Sequence, residues 1–202
     1  YSSISVGSNE GADRIILVAS VTTGGGAGTD GISSMTCGGV SGTNVFESLA
    51  TDHSQIAIFR FAIASGTSKD IVVNYQRSTK RGGIYVYEGT NLTFINSSVT
   101  TNTNGSGSLT SSASFDIAAG QAVMGFSILA NGETRETLTF TNLTERVDVG
   151  LGPDAGSESG AGTQTGCGDA TFASASAGQS FSIVYDGQAL RSAAFVVFGP
   201  AS

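Results

Sequence analysis

The stretch Ser54–Glu88 allows little except β-structure. Gln55–Ala64 reads QIAIFRFAIA, with Phe59, Phe61 and Ile63 at one parity and Ile58, Arg60 and Ala62 at the other. Successive side chains of a strand point to opposite faces, so this spacing sorts the residues into two sides. Ser65-Gly66-Thr67 is turn chemistry. Asp70–Tyr75 (DIVVNY) is short and β-branched, and Ile84–Tyr87 (IYVY) resumes the alternation. The pattern predicts a half-buried antiparallel meander of three consecutive strands, with Phe59 and Phe61 facing the core.

The rest of the chain repeats this grammar of short apolar runs between Gly, Ser, Thr and Asn clusters. No window shows a helical period. Ser2–Val6 reads as an edge strand and Arg14–Thr22 (RIILVASVT) as a central one. Ile32–Cys37 and Val45–Leu49 flank the Gly38-Gly39 turn. Thr93–Thr100 and Ser108–Phe115 form a pair of polar strands. Gln121–Ala130 (QAVMGFSILA) reads as buried. Asn131-Gly132 is the strongest hairpin signal, because a type I′ turn needs positive φ at both positions. It predicts Thr137–Phe140 as the partner strand. Arg146–Val149 is a short strand. Leu151–Gly168 carries six glycines and reads as a long loop, functional or mobile. Gln179–Tyr185 and Ala193–Phe198 close the chain.

About 11–14 strands follow from this reading. The expected fold is all-β: an antiparallel, jelly-roll-like β-sandwich whose late strands pair with early ones. Only two prolines occur and no shift in composition divides the chain, so residues 1–202 read as a single domain. No exact internal repeat is visible.

Charge narrows the function. Charged residues make up 12% of the chain, about half of the usual ~25%, and Lys69 and Lys80 are the only lysines. Interface cores are depleted in lysine, so one reading is a surface covered by other copies. The other is an exposed protein coated with Ser, Thr and Asn. The net charge of −7 and a pI near 4.5 argue against nucleic acid as a partner, which needs clustered cations. No apolar run is long enough for a membrane span. The chain opens at Tyr1 without a signal peptide, which is compatible with a removed leader or upstream segment.

Candidate chemistry is sparse. Asp52, His53 and Ser54 are adjacent and point apart in an extended chain, so they cannot form a relay. His53, the only histidine, reads as a polar strand opener. One His and two Cys build no zinc site without carboxylates. Asp148, Asp154, Glu158 and Asp169 bracket or occupy the glycine-rich stretch, but they lack the calcium-loop spacing. Thr23–Gly26 lacks the ending of a phosphate loop. Glu133 and Glu136, near Arg135, fall on opposite strand faces and read as a solvated hairpin end rather than an acid–base pair. No catalytic residue, metal site or cofactor is expected. Tyr85 and Tyr87 share a strand face and are candidate binding residues, either stacking on sugar rings or packing against a subunit or a crossing loop. Asn91, Asn96, Asn104 and Asn142 open N-x-[ST] triplets, which so polar a chain produces by chance.

Several segments, in order, resemble a family of β-sandwich domains found in phage virion proteins and large bacterial surface proteins. They are Asp13–Ser20 (DRIILVAS), Ser33–Val40 (SSMTCGGV), Ala64–Tyr75 (ASGTSKDIVVNY), Arg81–Gly89 (RGGIYVYEG), Gln121–Ser127 (QAVMGFS) and the closing ASAGQSFSIVY and SAAFVVF runs. The resemblance covers most of the chain and departs from the family pattern at Leu151–Gly168. It implies a structural, adhesive or decorating role and supplies no catalytic residues.

The sequence therefore suggests a non-enzymatic structural protein of a phage virion, such as a capsid decoration, spike or tail fibre component. It would associate with itself and with other virion proteins and reside in the virion or outside the cell. A secreted carbohydrate-binding or adhesive domain, with glycans as partners, is the alternative. Cys37 and Cys167, each followed by glycine, are compatible with one disulfide or with two separate thiols. A bridge would close a loop of about 130 residues, worth roughly 4–5 kcal/mol at most.

Overall fold

Ile15–Val18 and Gln55–Phe61 carry apolar side chains at both parities. A strand of that kind has to be covered on both faces, and the fold covers it by stacking four sheets. The computed structural model describes residues 1–24, 31–49, 54–76, 79–102, 109–132, 138–153, 162–185 and 190–200. Among them the strands are β1 (Ile4–Ser5), β2 (Arg14–Gly24), β3 (Ile32–Cys37), β4 (Val40–Ser41), β5 (Thr43–Leu49), β6 (Ser54–Ala62), β7 (Ser68–Lys69), β8 (Ile71–Tyr75) and β9 (Thr79–Thr90). The second half adds β10 (Leu92–Asn102), β11 (Leu109–Ile117), β12 (Ala122–Gly132), β13 (Leu138–Thr141), β14 (Thr144–Pro153), β15 (Gly162–Thr171), β16 (Ser176–Tyr185) and β17 (Leu190–Pro200). The described residues contain no helix, and every strand pairing is antiparallel.

The first layer is β4-β3-β8, with the β1-β7 pair beside it. The second is β5-β6-β2-β9, the third β10-β17-β12-β15-β14 and the fourth β11-β16-β13. Three apolar cores lie between them. Ile16, Val18, Phe59 and Phe61 meet Met35, Cys37 and Ile71 between layers one and two. Ile15, Leu17, Ile56 and Ile58 meet Phe126, Ile128, Val196 and Phe198 between layers two and three. Val123, Phe195 and Val197 meet Phe115, Phe181 and Tyr185 between layers three and four.

The predicted all-β antiparallel sandwich is present, with three differences in detail. Phe59 and Phe61 are buried as expected, but so are Ile56 and Ile58, because β6 lies in an inner layer. The three strands of the expected meander are not neighbours. β6 pairs with β2 and β5, β8 crosses to the first layer to pair with β3, and β9 returns to pair with β2. Late strands do not pair with early ones; the two halves of the chain meet face to face instead.

Two turn assignments also change. Asn131-Gly132 is not a hairpin: Gly132 continues β12 and pairs with Gly162. β13 pairs with β16 in the fourth layer. Glycines drew Leu151–Gly168 toward a loop, yet its ends belong to β14 and β15. Gly166 and Gly168 are there for close approach. A Cβ on Gly166 would sit 2.5 Å from Leu138 Cδ1, and one on Gly168 would sit 3.0 Å from Phe140 Cδ1. The fourth layer rests on bare backbone at these points.

The two halves share one topology, which no exact sequence repeat announces. β5-β6-β2-β9 in the second layer has the same connectivity as β14-β15-β12-β17 in the third. β3 pairs with β8 as β13 pairs with β16, and β1 pairs with β7 as β11 pairs with β16. β10 is the main strand of the second half without a counterpart in the first.

Candidate functional site

The layers that meet at the centre are unequal, four strands over five. β5 packs on β10, β6 on β17 and β12, β2 on β12, and β9 on β15 and β14. β14 therefore projects beyond β9, and among the described residues the far edge of β9 has no partner strand. A groove of about 560 Å³ runs along that edge. Ile84–Tyr87 of β9 form one wall, Ile4 and Ser5 of β1 another, and Arg146, Val147, Cys167 and Asp169 of β14 and β15 the floor. Gly82 opens the row of edge groups, its carbonyl accepting a hydrogen bond from Tyr1 Oη at 3.3 Å.

Tyr85 and Tyr87 come together as their spacing implies, but they face inward. Tyr85 is buried, and its hydroxyl lies 2.7 Å from Thr165 Oγ1. Thr165 donates its own proton to the Ser127 carbonyl at 2.9 Å, so Tyr85 is the donor of the pair. Both rings lie 6.0 Å from that of Phe126, Tyr85 tilted and Tyr87 edge-on. These rings are core anchors that wall the groove, because β9 turns that parity toward the third layer. The Tyr87 hydroxyl is buried beside the Cys167 thiol.

Carboxylates at the groove are engaged by neighbours. Arg146 forms an ion pair with Asp169 across β14 and β15. Asp148 accepts hydrogen bonds from Gln164 Nε2 and from the Leu138 amide, the latter at 3.2 Å. Among the described residues no group of three or more His, Cys, Asp or Glu is placed to hold a metal ion. Asp52, His53, Asn104, Glu133, Arg135, Glu136, Asp154 and Glu158 lie outside the described residues.

Cys37 and Cys167 are not bridged. Both are buried free thiols, Cys37 in the core between layers one and two and Cys167 in the core between layers two and three. The second layer separates them. Burial pushes the Cys167 thiol from its ordinary 9.0 up to about 11. At pH 8 this leaves about 100-fold less thiolate than in an unfolded chain. Native Cys167 should therefore react with iodoacetamide at least about 100-fold more slowly than the urea-unfolded thiol, as read by timed intact mass. Equal rates would contradict the burial. Tyr85 and Tyr87 are also shifted upward, chiefly by burial. All three acids hold their protons more tightly when folded. Their contribution to stability is complete below the unfolded values of 9.0 and 10.0 and is lost as pH rises through and beyond them.

Sequence reading missed the groove, since an unpaired edge depends on which strands become neighbours. One signal was present. Gly82–Tyr87 is an uncharged run, and an edge strand normally carries charge or proline to block pairing.

No family model and no curated protein matches this chain. Among solved structures it shows 9% identity to the infectious bursal disease virus VP2 subviral particle, over 94% of this chain and 67% of that one. The TM-score is 0.16, too low to carry an argument about fold or function.

Proposed function

We propose that the chain is a non-enzymatic structural protein of a phage virion, a capsid decoration, spike or tail fibre component that works by association with itself and with the particle. The observation that carries this reading is the outer face of the fourth layer. Thr110, Ser112 and Ser114 of β11, Ser180 and Ser182 of β16, and Thr139 and Thr141 of β13 all point away from the core. They stand in cross-strand rows, with Ser182 opposite both Ser112 and Thr141. This is a three-stranded face mostly of short hydroxyl side chains, with Val184 in its middle row, Asp116 at one end and no lysine. Covering its hydroxyl rows costs little side-chain entropy and buries no charge there. The sequence resemblance to virion and surface β-sandwich domains points the same way. The carbohydrate-binding alternative needs exposed rings, and Tyr85 and Tyr87 are occupied by Phe126, so it draws no support from them.

Ser112→Lys and Thr139→Lys, made separately, test the reading. Each should abolish self-association or particle binding, measured by sedimentation and by decoration of particles from the source. Stability should stay within about 0.5 kcal/mol, since both positions are exposed. A wild-type chain that stays monomeric at high micromolar concentration and binds no particle would overturn the proposal.

A further inference from the structure

We infer that the groove beside β9 is an acceptor slot for one extended polypeptide strand supplied by another chain. The inference goes beyond the proposed function and does not depend on it. Three observations carry it.

The first is the internal duplication. β17, the equivalent of β9, has β12 on one side and β10 on the other. β9 has only β2. The slot therefore continues an interface that the second half of the molecule already builds, with β10 antiparallel to β17 over residues 92–102.

The second is the layer packing. β5 lies over β10, so the relation between the halves places the missing strand over β14. There Val147, Cys167 and Tyr87 present apolar surface to one side of an incoming strand, and Ile84 and Ile4 line the other. The edge of β9 away from β2 presents backbone donors and acceptors, up to the Gly82 carbonyl, which already accepts from Tyr1 Oη. Main-chain pairing plus pockets for alternate side chains is the physics of strand addition.

The third is steric. In a second copy docked by its own β9 edge, the β14 that projects beyond that edge would run into the β14 of the first. The slot has room for one strand, not for a sheet. Within residues 1–202, no stretch outside the described residues is as long as β10. β10 spans 11 residues, and the longest stretch outside the described residues, 154–161, spans eight.

The probe is a synthetic peptide with the sequence of Leu92–Asn102, the internal counterpart of the missing strand. It should bind saturably and slow hydrogen exchange within residues 79–90. Only alternate amides of a strand face its neighbour. N-methylation of one alternate set of peptide nitrogens should therefore weaken binding at least tenfold, while the other set is tolerated. Val147→Asp should abolish binding by placing a charge on the floor. If that variant does not fold, the two N-methylated peptides still decide the matter on the wild-type protein. Absence of saturable binding, or equal tolerance of both methylated sets, overturns the inference. Because the assay reads neither self-association nor particle binding, its failure is distinct from failure of the proposed function.

Discussion

Replacing Arg14 with alanine should cost about 3–5 kcal/mol, the usual penalty for removing one partner of a buried ion pair. Arg14 opens β2 and its side chain is 2% exposed. Its Nε donates to Glu88 Oε1 at 2.6 Å, its Nη1 to the Gly66 carbonyl at 2.8 Å, and its Nη2 to the Val6 carbonyl at 2.7 Å. Glu88 in turn accepts from the Asn9 amide and from Asn9 Nδ2, both at 3.0 Å. One guanidinium thus ties β9, the β6–β7 turn and the chain entering β2. Gly7 completes the fit. It sits at φ +89, and any Cβ there would run into the Glu88 carboxylate. Loss of Arg14 leaves a mostly buried carboxylate and several carbonyls without their donor. The melting temperature should fall on the order of 10 °C. Arg14→Lys should recover only part of this, since a single ammonium cannot reproduce the fork that reaches several acceptors. A loss below about 1 kcal/mol for the alanine variant would show that the network is incidental.

The fold class was legible because strand patterning is local. IILVA in β2, QIAIF in β6 and AAFVVF in β17 are apolar at both parities, and the structure places each in an inner layer. Read alone, however, such a run does not say how many layers cover it, and the alternation in β6 implies one buried face where the fold has two. Strand order was not legible, because it depends on contacts between residues distant in the chain. Turn residues misled for a physical reason. A glycine serves a bend or a close approach equally well, and in Gly166 and Gly168 it serves the second. The real corners carry another signal. Thr90–Thr93 and Thr141–Thr144 both read TNLT, and Asn91 and Asn142 take φ +52 and +60. Each marks a place where the chain leaves one sheet for another, and asparagine tolerates that left-handed conformation better than most residues. As glycosylation triplets they carried no information; as sheet-switching corners they do. The groove was the least legible feature, since it is defined by a strand that is not there.

Phe126→Ala should destabilise the whole molecule by about 3–5 kcal/mol, and it tests whether two duplicated halves melt as one. Phe126 is fully buried and receives both Tyr85 and Tyr87 from the opposing layer. Its loss removes the ring that the two halves share. Phe61 is the comparison. It is equally buried but lies between layers one and two, wholly within the first half. Separating the halves would expose Ile15, Leu17, Ile56 and Ile58 on one sheet and Phe126, Val196 and Phe198 on the other. A contiguous apolar face of that kind is not left in water by a stable monomeric unit. One cooperative transition is therefore expected by calorimetry for the wild type, and Phe61→Ala and Phe126→Ala should each shift that single transition downward. Amide exchange in β17 should accelerate in the Phe61→Ala variant even though β17 makes no contribution to the core that contains Phe61. If Phe61→Ala instead lowers only the first of two transitions and leaves exchange in β17 unchanged, the halves are separate folding units that merely adhere through Phe126 and its neighbours.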